Sequence, residues 1–140
     1  MLYGGFDHTV DKKGRVFVPA KFREDLGESF IICKAIATKT CLCIYPYNEW
    51  EKLVARISEL PSAQAAELKR FLFDGAFNVE FDAQGRIVVP PALREYAKLD
   101  ASAHLIGMNS YVELWSSELW SEESKYNLES IFAAADKFGI

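Results

Sequence analysis

Between residues 11 and 15 the chain reads Asp-Lys-Lys-Gly-Arg, one carboxylate and three cations gathered around a glycine. An aspartate at the head of such a segment can accept backbone N–H bonds within a turn, and glycine supplies the positive φ that a sharp reversal needs. The cations suit an anionic partner. Lysines attract phosphate in a salt-sensitive way, and an arginine held at a tight bend can present two donors to the O6 and N7 edge of a guanine. The same residues also allow an internal arrangement, with Asp11 and Arg15 paired to each other and Lys12 and Lys13 as solvated turn residues.

The segment recurs as Asp82-Ala83-Gln84-Gly85-Arg86. Aligning Gly4 with Gly75 brings Phe6 onto Phe77, Asp11 onto Asp82, Gly14 onto Gly85, Arg15 onto Arg86, Pro19 onto Pro90 and Arg23 onto Arg94. Further on, "CLCIYPYNEW" lies on "YVELWSSELW", and the register slips only where loops change length. The chain is a tandem duplication. Recurrence of arginine at the matching point favours its symmetric display to a repetitive ligand over a chance surface pair. Arg15 and Arg86 are therefore the leading contacts to DNA, Lys13 and Lys12 add affinity for its backbone, and Asp11, Gly14, Asp82 and Gly85 shape the turns. For Arg23 and Arg94, contact with DNA and packing of the aliphatic stem beside a carboxylate stay open together.

The elements that must position these residues follow from periodicity. Phe6, His8 and Val10 alternate with polar residues, as do Phe77, Val79 and Phe81, which predicts a strand before each turn. Val16–Val18 and Ile87–Val89 predict a strand after it. Pro19 and Pro90 cannot continue a ladder but fit the start of a short helix, Ala20 to Leu26 with Gly27 as its stop, and Pro91 to Leu99. Two further strands follow in each copy, Phe30–Lys34 with Cys41–Tyr45, and His104–Ile106 with Tyr111–Trp115. Trp50, Leu53, Val54, Ile57 and Leu60 form an amphipathic stripe, and Ser62 is placed to cap another helix through Leu72. Leu128, Ile131, Phe132 and Ala135 make a stripe near the C-terminus. The expected units are residues 1–60, a connecting helix at 61–73, a second repeat at 74–120 and a helix at 121–140. Each copy is small for a core of its own and would leave strand edges unpaired. We therefore expect an α+β fold, mostly β, with both copies interlocked in one pseudo-twofold, barrel-like core and helices outside.

With its paired Asp-x-x-x-Arg segments, its "VPAKFR" and "VPPALR" continuations, and its "IYPYNEW" and "VELW" strands, the chain resembles the MraZ family over Met1 to about Trp120. That resemblance implies two AbrB-type (SpoVT-AbrB) swapped-hairpin repeats. It implies a bacterial transcription regulator of repressor type that binds tandem repeats in double-stranded promoter DNA of the division and cell-wall gene cluster, its own gene included. It also implies a ring-like homo-oligomer, cytoplasmic and nucleoid-associated, whose Asp-x-x-x-Arg face meets the DNA. The second turn departs from the first in lacking lysines, and Ser110 stands where a basic residue is expected.

Composition narrows the alternatives. A net charge of -4 and a pI near 5.2 are wrong for a protein that coats nucleic acid, so any DNA contact must come from a local basic face. No apolar run is long enough for a membrane span, and the start lacks a basic region leading into an apolar one. Cys33, Cys41 and Cys43 are odd in number and lack a Cys-x-x-Cys pair or a neighbouring histidine cluster, so they read as packing residues and not as a disulfide framework or metal site. His8 and His104 align with Val79 and Ile31, which places both at core or boundary positions. No nucleophile set or phosphate-cradling loop stands out, so no enzyme, cofactor or small-molecule substrate is expected. The other class to weigh is an AbrB-like antitoxin or protein-interaction module, with DNA binding secondary.

Overall fold

Alternation along the strands sets the layers of this computed structural model, which describes residues 1–36 and 40–140. The first repeat contributes β1 (Gly5–Thr9), β2 (Arg15–Phe17), α1 (Ala20–Leu26), β3 (Ser29–Lys34), β4 (Leu42–Pro46), α2 (Tyr47–Ser58) and α3 (Ser62–Asp74). The second contributes β5 (Phe77–Glu80), β6 (Arg86–Val88), α4 (Pro91–Ala97), β7 (Ser102–Gly107), β8 (Val112–Ser116), α5 (Ser117–Glu123) and α6 (Leu128–Lys137). In the central strands, Ile32, Ile44, Leu105 and Leu114 point to one face of the sheet, and Cys33, Cys43 and Trp115 to the other. Successive strand residues face opposite sides, so a sheet covered on both faces needs apolar side chains at nearly every position. β8 answers that demand, with Val112, Leu114 and Trp115 buried and Glu113 satisfied by a 3.0 Å bond from Trp115 Nε1.

The two repeats exchange strands. The six-stranded antiparallel sheet runs β1-β7-β8-β4-β3-β5, so β1 of the first repeat pairs with β7 of the second, and β5 of the second pairs with β3 of the first. A pseudo-twofold axis passes between β8 and β4, whose pairing joins the halves. β2 and β6 form a separate antiparallel ribbon with Val16 opposite Ile87. The sheet is open, with β1 and β5 at its edges, and the expected closed barrel is absent among the described residues. The ribbon explains this: beyond each turn the chain leaves the sheet to pair with its symmetry mate, and the ribbon lies over one face with α1 and α4. Leu2, Val16, Phe22, Phe30, Ile87, Leu93 and Leu114 belong to the main core beneath it. A second cluster holds the cysteines, Ile57, Leu72 and Trp115, with Trp50, Leu68 and Trp120 packed against it.

The balance differs from the expected mostly-β composition, since helices take more residues than strands. α1 spans Ala20–Leu26 as its sequence predicts, and the N–H of Gly27, at φ 81°, closes it on the Arg23 carbonyl. α2 begins at Tyr47, ahead of the tryptophan that starts the apolar stripe. Ser62 is the first residue of α3, not its cap; Pro61 holds the cap position with no side-chain bond. Where one helix is expected at 121–140 there are two: α5, which already begins at Ser117 and is capped by Ser116 Oγ accepting from Leu119 N at 3.1 Å, and α6, capped by Asn127 Oδ1 accepting from Ser130 N at 3.1 Å. No residue of α6 is buried.

Candidate nucleic-acid interface

Each turn is built around its aspartate. Asp11 Oδ1 accepts from Lys13 N at 3.0 Å and Arg15 N at 2.9 Å, and Oδ2 accepts from Arg15 Nε at 2.5 Å. Asp82 Oδ1 accepts from Gln84 N and Arg86 N, both at 2.9 Å, and Oδ2 accepts from Arg86 Nε at 2.9 Å. The backbone closes both loops in the same way. Gly14 N donates to Asp11 O at 3.0 Å, Gly85 N to Asp82 O at 3.0 Å, and the two glycines take φ 78° and 79°. In each turn the aspartate pKa is held below its ordinary 3.8, first by the backbone N–H of the following arginine and, against the opposing effect of desolvation, by that arginine's side chain.

This geometry fits the turn-shaping role assigned to Asp11, Gly14, Asp82 and Gly85. It changes the picture of the arginines. Arg15 and Arg86 do not extend freely from the bend; each folds its Nε back onto its own aspartate, with side chains 32% and 29% exposed. The internal pairing is therefore present at both turns. An Nε-to-carboxylate bond does not spend the N–H donors of the two Nη groups, so pairing and display are compatible. Arg86 is held more tightly than Arg15: its Nη2 donates to Gln84 Oε1 at 3.1 Å, and its Nη1 lies 4.0 Å from Asp11 Oδ2 across the axis. Lys12 and Lys13 are exposed.

The ribbon brings the turns together. Val16 and Ile87 point into the core, so Arg15 and Phe17 of β2 and Arg86 and Val88 of β6 share the outer face. Val88 is 51% exposed, a large apolar residue on a short ribbon flanked by arginines. Phe17, Gln84 and Val88 are not among the residues that sequence reasoning assigned to DNA contact. Gln84 had a signal, since it occupies the place of Lys13 in the repeat, and alternation alone would have placed Val88 outward. Arg23 and Arg94 lie half-buried, each against the turn glycine of the other repeat, and Arg23 Nη1 also donates to Val18 O at 3.2 Å.

Other titratable groups serve packing. His104 Nδ1 lies 2.8 Å from Asp7 Oδ1, and its ring stacks on Trp120 at 4.4 Å; His8 meets Phe17 edge-on at 5.1 Å. Burial pushes the Cys33 thiol up to about 12, and a hydrogen bond with Cys41 together with burial raises the Cys43 thiol well above its ordinary value. Among the described residues no three histidine, cysteine or acidic side chains cluster as a metal site, and no helix is long and apolar enough to cross a membrane.

The fold and site define a two-repeat α+β protein that presents one twofold ribbon with an arginine-bearing turn at each end. The family described as "MraZ protein, putative antitoxin-like" matches residues 1–70 and again 72–138. The chain is 42% identical to the Transcriptional regulator MraZ of Caldanaerobacter subterraneus subsp. tengcongensis, with all of both chains covered. It is 46% identical to that of Desulfitobacterium hafniense strain Y51, over 97% of this chain and 95% of the relative, and 41% identical to that of Halothermothrix orenii, with both chains covered in full. The chain belongs to the MraZ family.

Proposed function

We propose that the protein is a transcription regulator that reads double-stranded promoter DNA with the β2–β6 ribbon. The observation that carries this reading is the placement of Arg15, Phe17, Arg86 and Val88 on one outward face, with an Asp-x-x-Gly-Arg turn at each end. A two-stranded ribbon fits the major groove of B-DNA, and arginine there recognises guanine by two bonds. Arg15 is the leading base contact, with Arg86 beside it. Lys12 and Lys13 supply phosphate contacts that offset the acidic remainder of the chain. The names of its relatives support transcription regulation as the output and a non-enzymatic role.

The finer reading follows the family resemblance. The regulator is of repressor type, acts on the division and cell-wall gene cluster including its own promoter, and works in the cytoplasm at the nucleoid. Residues 1–60 and 74–120 are its two swapped-hairpin units, joined by 61–73 and followed by a tail at 121–140. It acts as a homo-oligomeric ring, because one ribbon offers few cations and useful affinity comes from several ribbons on successive DNA repeats. The open apolar face of α6 supports self-association: its Leu128, Ile131 and Phe132, and Phe138 just beyond its end, are all exposed in the single chain.

A mobility-shift assay with DNA upstream of the protein's own gene, against scrambled DNA at two salt concentrations, tests this. Native DNA should stay bound at the higher salt, and Arg15→Ala should abolish that retention while the fold persists. Undiminished specific binding by folded Arg15→Ala overturns the assignment. The exposed α6 also fits the interaction-module reading, in which this helix captures another protein; loss of the segment after Trp120 to protease, from a particle of single-chain mass, favours that reading.

A further inference from the structure

We infer that Arg23 and Arg94 are positioning residues, each holding the DNA-facing turn of the opposite repeat in shape, and are not themselves DNA contacts. The assignment of a DNA-facing role to these turns rests on the function proposed above; the structural coupling does not.

The geometry is reciprocal. A Cβ built on Gly14 would lie 2.6 Å from Arg94 Nε, 2.7 Å from its Cζ and 2.8 Å from its Cδ. A Cβ on Gly85 would collide with Arg23 Nη1 and lie 2.7 Å from its Cζ. Each arginine thus lies where a side chain on the glycine would stand, so a substitution there meets both the positive φ and this contact. The backbone repeats the exchange. Gly14 O accepts from Val89 N at 2.9 Å, five residues ahead of Arg94, and Gly85 O accepts from Val18 N at 3.0 Å, five residues ahead of Arg23. Every turn is therefore gripped by a backbone amide and a guanidinium of the other repeat.

Placement argues against direct contact. Arg94 Nε is buried against the turn and has no hydrogen-bond partner, so this donor is closed to a phosphate oxygen. Leaving a charged donor unsatisfied is costly, and the residue it covers is the glycine of the turn. Arg23 Cζ sits 5.1 Å from the Phe17 ring while its Nη1 is engaged by Val18 O, which fixes it between ribbon and turn. A lysine lacks the planar fork to fill the same space.

Hydrogen exchange by mass spectrometry on the assembled protein tests the coupling without DNA. Arg94→Met should speed exchange in peptides across Asp11–Arg15 and leave Asp82–Arg86 as in the parent; Arg23→Met should do the reverse. Arg94→Lys and Arg23→Lys should recover part of the protection, and these milder variants carry the test if the methionine forms do not fold. Exchange that rises equally in both turns, or only in the arginine's own repeat, overturns the inference. In the mobility shift, a positioning role predicts a loss of discrimination between native and scrambled DNA of about tenfold or more, with the salt dependence unchanged. A direct phosphate contact predicts instead a slope smaller by about one per arginine removed, with discrimination intact, and that result also overturns it. If exchange shows the crossed pattern but the parent protein does not discriminate DNA, the function proposed above fails and the coupling stands.

Discussion

Replacing Gly14 by alanine should cost far more in the parent than in an Arg94→Ala background. At φ 78° an L-residue meets the left-handed penalty, about 1–2 kcal/mol. The added methyl also stands 2.6–2.8 Å from three atoms of Arg94, whereas ordinary contact begins at 3.4 Å. Arg94 must retreat, and its half-buried guanidinium gives up its packing against the turn as it does so. Forced displacement in a packed site adds about 1–3 kcal/mol, for a total of about 2–5 kcal/mol. Once Arg94 is alanine the collision disappears and only the φ term remains. The double-mutant cycle should therefore show a coupling of about 1–3 kcal/mol, within the range for residues in contact. A chain of 140 residues loses roughly 3 °C of Tm per kcal/mol. Gly14→Ala alone should lower Tm by roughly 6–15 °C, and in the Arg94→Ala background by a further 3–6 °C. Thermal melts of the four proteins, with urea midpoints as a check, give the cycle. Equal decrements in both backgrounds would refute the contact between Arg94 and the turn.

Three other outcomes follow from the structure. Gly107→Ala should destabilise by about 2 kcal/mol despite an ordinary φ, because its Cβ would strike Tyr3 N and lie 2.6 Å from Leu2 C, backbone that cannot move aside; a melt within 1 °C of the parent would contradict this packing. Asp11 and Asp82 should titrate below 3.8, so the stability they lend is whole above that value and is lost as pH falls through their lowered pKa values. Carboxyl carbon shifts followed against pH report this, and a midpoint at or above 3.8 would break the turn geometry. Cys33, Cys41 and Cys43 should resist iodoacetamide at pH 8 in the folded protein and all react in denaturant, since each is buried and the first and last have raised pKa values. Prompt labelling of the native state would count against the second core cluster.

What the sequence made legible was local. The Asp-x-x-Gly-Arg turn closes within five residues, so its aspartate bonds and glycine φ could be read directly. α1, set between Pro19 and Gly27, was equally plain. Pairing was harder. Two copies with unpaired edges imply interlocking, but nothing in Phe6 or Phe77 says that each must join the other repeat's sheet. The closed barrel failed for the same reason, because three-residue strands at 15–17 and 86–88 are too short to announce that they pair with each other and leave the main sheet. Arg23 and Arg94 were visible as a recurring pair, yet their partners are glycines, which carry no side chain to suggest a contact. α6 shows the limit of periodicity: the stripe of Leu128, Ile131 and Phe132 predicts a helix correctly, but not that the chain leaves its apolar side uncovered.

The exchange of strands also sets a schedule for synthesis. β1 leaves the ribosome early, but its partner β7 is made roughly 100 residues later. At about 5–20 residues per second, that delay is several seconds to about twenty. Through this interval the first repeat holds an unpaired edge and an apolar ribbon strand whose mate, β6, is also still to come. A nascent chain that has completed only residues 1–60 cannot settle into a native half, so on crowded ribosomes β1 has the β7 of a neighbouring chain as an alternative partner. The same topology that ties the two turns into one ribbon leaves these edges unmatched until its last strands emerge.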